Sequence, residues 1–136
     1  MKEPNNFEVI ALGIILDTKT KKILIGKREH TPPIKNLDWT FPGGRVNNGE
    51  DVDEALKRGI KEKTGFEVEN LGALFAQVPP EKKDRMLLIF LTEVFGGKEK
   101  VGGKMTELKW ISPKDIEKYI QVFIHPKLKE FIIDLV

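Results

Sequence analysis

Cysteine is absent from the 136-residue chain, and with it go disulfides, thiolate metal sites and cysteine nucleophiles. Histidine is almost absent too. With only His30 and His125 a three-histidine zinc site is excluded, so metal chemistry would have to come from carboxylates, which suit Mg and Mn. No surplus of one charge exists either, because 23 Lys and Arg stand against 21 Asp and Glu for a net of +2. A protein that neutralises phosphates along a strand needs a local excess of cations, so no nucleic acid polymer is expected as partner. No apolar run approaches the roughly 18 residues of a membrane span and no secretory signal is visible, so no membrane partner is expected and the cytoplasm is the expected compartment. Arginine is scarce, 4 residues against 19 lysines. Only arginine offers a bidentate fork to phosphate, so each arginine inside a motif carries weight.

What is present reads as one domain over residues 1–136, long enough to bury a core. The polar Met1 to Asn6 are expected to fray. Phe7 to Leu16 and Ile23 to Ile25 form a strand pair across a polar turn, and Lys27 to Asp38, with Pro32 and Pro33, form a loop. A short strand, Trp39 to Phe41, leads into Pro42-Gly43-Gly44. Asn47-Asn48-Gly49 turn the chain, Glu50 and Asp51 place negative charge at a helix start, and the helix runs from Val52 to Thr64 before Gly65. Phe66 to Val78 is a strand bulged near Gly72, Met86 to Phe95 a long apolar strand, and residues 96–103 a flexible glycine loop. Glu107 to Ile111 is a strand, Ser112 N-caps a helix that begins with Pro113, and His125 to Val136 is a last amphipathic helix. Strands and helices alternate without regular repeats, which predicts an α/β (α+β) fold with a mixed sheet between helices.

The chemistry is concentrated in Phe41 to Phe66, FPGGRVNNGEDVDEALKRGIKEKTGF. Paired glycines let backbone approach a ligand, and Arg45 beside them can meet an anion. Glu50, Glu54, Arg58 and Glu62 recur every four residues and form one stripe of a helix. Trp39, Phe41 and Phe75 read as core rather than as base-stacking groups, and His30 and His125 as ordinary loop residues.

This segment resembles the signature box of the Nudix hydrolases. Gly44 matches its first Gly, Glu50 its first Glu, Arg58 the Arg, Ile60 the aliphatic, Glu62 the first of the paired Glu and Gly65 the closing Gly, without a gap. Phe41-Pro42-Gly43-Gly44, Gly26-Lys27-Arg28 and Trp110-Ile111-Ser112 extend the likeness over most of the chain. The resemblance implies an α/β/α sandwich and water attack on a nucleoside diphosphate linked to another moiety, with ADP-ribose, a nucleoside triphosphate or a nucleotide sugar as substrate. It further implies Mg or Mn on the Gly43 carbonyl, Glu50 and Glu62, with Glu62 and Arg58 as catalytic positions. Phosphate would fall to Arg28, Gly44, Arg45 and Lys63, and a homodimer is an admitted assembly. A subgroup that cleaves nucleotide sugars at the sugar carbon shares the Gly-Lys-Arg and Pro-Gly-Gly-Arg-Val stretches, but no histidine lies in the segment just before Trp110 to act as base.

Two positions depart from the box. Gly59 stands where a Glu follows the Arg, and Lys63 where the second paired Glu belongs. At about 100° per residue from Val52, the apolar face centres near 15°, with Gly59 near 340° and Lys63 near 20°, so both look inward. A mid-helix glycine costs about 1 kcal/mol against alanine, and an inward lysine must find an anion, reach solvent or shift its pKa. The expectation is a weak, atypical hydrolase; the alternative is a nucleotide-binding module in which the Lys63 ammonium fills part of the volume of the missing cation, paired with Glu62 or touching a substrate phosphate. On this footing, glutamates at 59 and 63 together should raise metal-dependent hydrolysis.

Overall fold

The computed structural model describes residues 7–29, 39–120 and 124–135. Residues 1–6, the greater part of the expected loop from Lys27 to Asp38 with His30, and Val136 lie outside them.

The first strand is apolar on both faces, as a strand buried on both sides must be. β1 (Glu8–Asp17) lies inside a seven-stranded mixed sheet, parallel to β6 (Arg85–Gly97) and antiparallel to β2 (Lys22–Arg28) and β4 (Gly43–Arg45). β2 also pairs β3 (Trp39–Thr40) and β7 (Met105–Ile111), and β6 pairs β5 (Phe66–Gln77). The bulge expected near Gly72 is a register shift between Asn70 and Gly72, where Gly72 has φ 130° and its N–H donates to the Asn70 side chain at 2.9 Å.

Alternation along β1 builds two cores. Ala11 and Ile15 face Leu56 and Ile60 of α1 (Val52–Thr64), while Leu12 and Ile14 face Ile116, Leu128 and Ile132 on the other side. These belong to α2 (Ile116–Tyr119) and α3 (Pro126–Ile133), so helices cover both faces of the sheet. The expected α/β/α sandwich is the observed architecture. Each fully buried Leu or Ile contributes about 1.5–3 kcal/mol, and Leu56 with Ile60 therefore fixes α1 firmly on the sheet. No described helix is long and apolar enough to cross a membrane.

The expected loop begins later than Lys27, because Lys27 and Arg28 pair with β7 as the end of β2, and three further expectations change. Gly96 and Gly97 belong to β6 rather than to a free loop, because they pair with Glu67 and Phe66. Ser112 makes no side-chain cap; the chain takes a 3₁₀ turn over Pro113–Asp115 closed by the Asp115 N–H on the Ser112 carbonyl at 2.9 Å. The last helix begins at Pro126, and His125 caps it, its Nδ1 accepting from the Lys127 N–H at 3.1 Å while its ring packs on Phe75.

Candidate active site

The helix of the box is built by local rules. The Asp51 carboxylate accepts from the N–H groups of Asp53 and Glu54 at 3.1 and 3.4 Å, and Gly65 ends the helix at φ 80° with its N–H on the Lys61 carbonyl. Buried Thr64 secures the end from inside, donating to the Ile60 carbonyl at 2.7 Å and accepting from the Phe66 N–H at 3.1 Å.

Arg58 joins this helix to the loop and strand before it. Its guanidinium donates to Glu50 and to the Arg45 carbonyl, the latter at 2.8 Å, and Nε lies 3.8 Å from Glu62. Glu50 accepts also from the Asn47 N–H at 3.1 Å, so both its oxygens are engaged in closing the loop. The Arg58 guanidinium, followed by the Asn47 N–H, holds the Glu50 carboxyl below the usual glutamate value.

Gly43 and Gly44 lie against α1 at Gly59. A side-chain carbon on Gly59 would come within 2.5 Å of the Gly44 nitrogen and closer still to the Gly43 carbonyl, and one on Gly44 would lie 3.2 Å from the Gly59 α-carbon. Strand and helix therefore meet as bare backbone. One turn further on, the half-buried Lys63 ammonium donates a hydrogen bond to the Gly43 carbonyl. Burial pushes Lys63 below the ordinary lysine value, Arg28 and Arg58 push the same way, and Glu62 opposes them. Arg28, Arg58 and Glu62 are thus the charges that act on Lys63, which alone of the four is seen on the Gly43 carbonyl.

The expected metal set is not assembled. The Gly43 carbonyl is taken by an ammonium, Glu50 is spent on Arg58 and Asn47, and Glu62 is exposed on the outer side of the helix. Among the described residues no three His, Asp or Glu side chains gather so as to hold a metal ion. Arg45, expected on phosphate, is drawn off by a neighbour across the sheet: its guanidinium pairs with Glu8 at 3.1 Å, and the side chain is 65% exposed. His125 is used in capping, as expected of a structural histidine, while His30 lies outside the described residues.

The segment after β6 is a feature that sequence did not announce. Instead of a free loop, it straps the end of α1: the Lys100 N–H donates to the Thr64 carbonyl at 2.8 Å and the Gly102 N–H to the Lys63 carbonyl at 3.1 Å. Helix ends leave such carbonyls without partners, which was the available signal. Trp110 holds the strap through its indole N–H on Glu99 at 2.8 Å. Between strap and helix lies an open depression lined by Lys61, Glu62, Lys98, Lys100 and Gly102, so water reaches Glu62 from that side.

Comparison with known proteins agrees with the likeness. The NUDIX domain model matches residues 7–132. A candidate 8-oxo-dGTP diphosphatase of Bacillus subtilis (strain 168) is 34% identical over 101 residues, covering 74% of this chain and 64% of the relative. ADP-ribose pyrophosphatase of Methanocaldococcus jannaschii is 33% identical over 119 residues, covering 85% of this chain and 67% of the relative. The matches thus span about two thirds of the length of these relatives. Among solved structures, a NUDIX hydrolase from Nitrosomonas europaea superposes with a TM-score of 0.76 at 21% identity, over 98% of this chain and 74% of that one. An ADP-ribose pyrophosphatase from Streptococcus suis 89-1591 gives 0.64 at 18% identity, over 80% and 76%. At these identities the structures speak for the fold.

Proposed function

The chain belongs to the Nudix family, and from that premise we propose that it hydrolyses a nucleoside diphosphate linked to another moiety, slowly. One observation carries this reading: the surviving glutamate of the paired positions, Glu62, stands open to water beside Lys63, whose other charged neighbours are Arg28 at the end of β2 and Arg58. Water attacks a phosphorus of the diphosphate, Glu62 takes its proton, and the bridging P–O bond breaks with its electron pair passing to the departing phosphate. Lys63 and Arg28 hold the negative charge that accumulates on the phosphate oxygens. Arg58 is a positioning residue that fixes Glu50 and the β4 end.

The family generally uses divalent metal ions, and the donors of this chain do not fit one at the Gly43 carbonyl. Mg or Mn enters no step proposed here. Loss of a Lewis acid removes several kcal/mol of charge stabilisation, and at about 1.4 kcal/mol per tenfold that slows turnover by two or more powers of ten. The relatives named for ADP-ribose and 8-oxo-dGTP make those nucleotides the first substrates to try. The proposal takes residues 1–136 as one domain in the cytoplasm with a small nucleotide as partner; light scattering would determine whether it dimerises.

The test is incubation with ADP-ribose, dGTP and a nucleotide sugar in water enriched in oxygen-18. Slow cleavage with the label on a product phosphate is expected. Label on a sugar hydroxyl, or no product from the folded protein, overturns the proposal.

A further inference from the structure

The two departures from the box are one turn apart on the same face of α1, where side chains four apart are neighbours. They act as a pair. Gly59 lets the helix settle on the Gly43–Gly44 peptide, a contact that no side chain at 59 would permit. Settled there, α1 brings the Lys63 ammonium to the Gly43 carbonyl, the oxygen that the family resemblance assigns to a cation.

A lysine ammonium has three donors, and Gly43 accepts from one. Arg58 is already matched by Glu50, the Arg45 carbonyl and Glu62. Arg28 makes no ion pair with any carboxylate among the described residues, and it pairs across the sheet with Met105, two residues after Gly103, whose side-chain position lies 3.3 Å from the Lys63 stem. Two cations, one of them half-buried, with the neighbouring Glu62 carboxylate turned to solvent, make a place suited to a multivalent oxyanion.

We infer that the Lys63 ammonium stands where the divalent cation would, so that a diphosphate is held between Lys63 and Arg28 without metal. The nucleotide part of this inference rests on the function proposed above. The Lys63 site itself can be tested apart from it, because inorganic pyrophosphate carries the same anion without a nucleoside.

The experiment is calorimetric titration of the full chain with ADP-ribose and, separately, with inorganic pyrophosphate, each in EDTA and in excess Mg. For the unaltered protein both ligands are expected to bind with Kd equal to within about twofold in the two buffers. Lys63→Met, which keeps the stem and removes the charge, should weaken both at least tenfold in EDTA. Lys63→Glu should abolish binding in EDTA and recover part of it in Mg, since it restores a carboxylate where the ammonium was. Tenfold or greater tightening of the unaltered protein by Mg overturns the inference while leaving the nucleotide reading in place, and that comparison needs no variant to fold. Unchanged affinity in a folded Lys63→Met also overturns it. Metal-free binding of pyrophosphate, lost in Lys63→Met, with no binding of ADP-ribose sustains the Lys63 site and overturns the nucleotide reading alone.

Discussion

The α-carbon of Gly59 rests on the peptide that joins Gly43 to Gly44, so closely that a methyl group at 59 has no room. In a free helix, Gly→Ala gains about 1 kcal/mol, but forcing an atom into closed packing costs about 1–3 kcal/mol. Gly59→Ala is therefore expected to destabilise the protein by about 1 kcal/mol, read as a lower urea midpoint at unchanged slope. A stabilised Gly59→Ala would show that helix and strand do not meet this way. The same contact corrects an expectation drawn from the box: a glutamate restored at 59 cannot enter without moving α1, so the double change at 59 and 63 is not a simple route back to metal-dependent hydrolysis.

In the proposed reaction Glu62→Gln removes the proton acceptor while keeping size and polarity. Turnover of the cleaved nucleotide is expected to fall by about 10² or more, with Kd held to within about threefold, because general bases contribute on that order. A loss confined to affinity would reassign Glu62 to binding.

The Glu50 carboxyl is held low by Arg58, so the unfolded chain binds the proton more readily than the folded one. Its contribution to stability is present above the ordinary glutamate value, about 4.3, and is lost as pH falls through the lowered folded value. Denaturation curves taken between about pH 5 and 2 should show Glu50→Gln losing stability less steeply than the unaltered protein. Parallel curves would disprove the coupling.

Arg58 spans two acceptors on different elements with one planar group, which a lysine cannot reproduce. Arg58→Lys should therefore cost nearly as much as Arg58→Ala, about 1 kcal/mol after allowance for solvent screening. Full retention of stability in Arg58→Lys would reduce the role to charge alone.

Wherever the determinants are local, the chain could be read directly. Asp51, the acidic first turn and Gly65 mark α1 at both ends, and the bounds 52–64 are those observed. The 100° rule turned Lys63 inward, and the structure agrees. What periodicity could not supply was the partner, since Gly43 is twenty residues earlier and meets Lys63 only when β4 and α1 pack together. Arg45 was read as a phosphate contact for the same reason. Nothing near it in sequence reveals Glu8, which β1 brings alongside through the antiparallel pairing of Ile10 with Arg45.

The strap at the end of α1 also governs motion. The last turn of a helix is where fraying begins, yet here the Lys63 and Thr64 carbonyls are bound from outside by Gly102 and Lys100. Opening the glycine-rich segment and unwinding the final turn are then a single event. The Lys100 and Gly102 amides should exchange with deuterium at one shared rate, set by that event and much slower than their glycine-rich surroundings imply. While the strap stays closed, the backbone of Lys63 is clamped, and on the proposed reading its ammonium would meet an anion already in position, with little order left to impose on encounter.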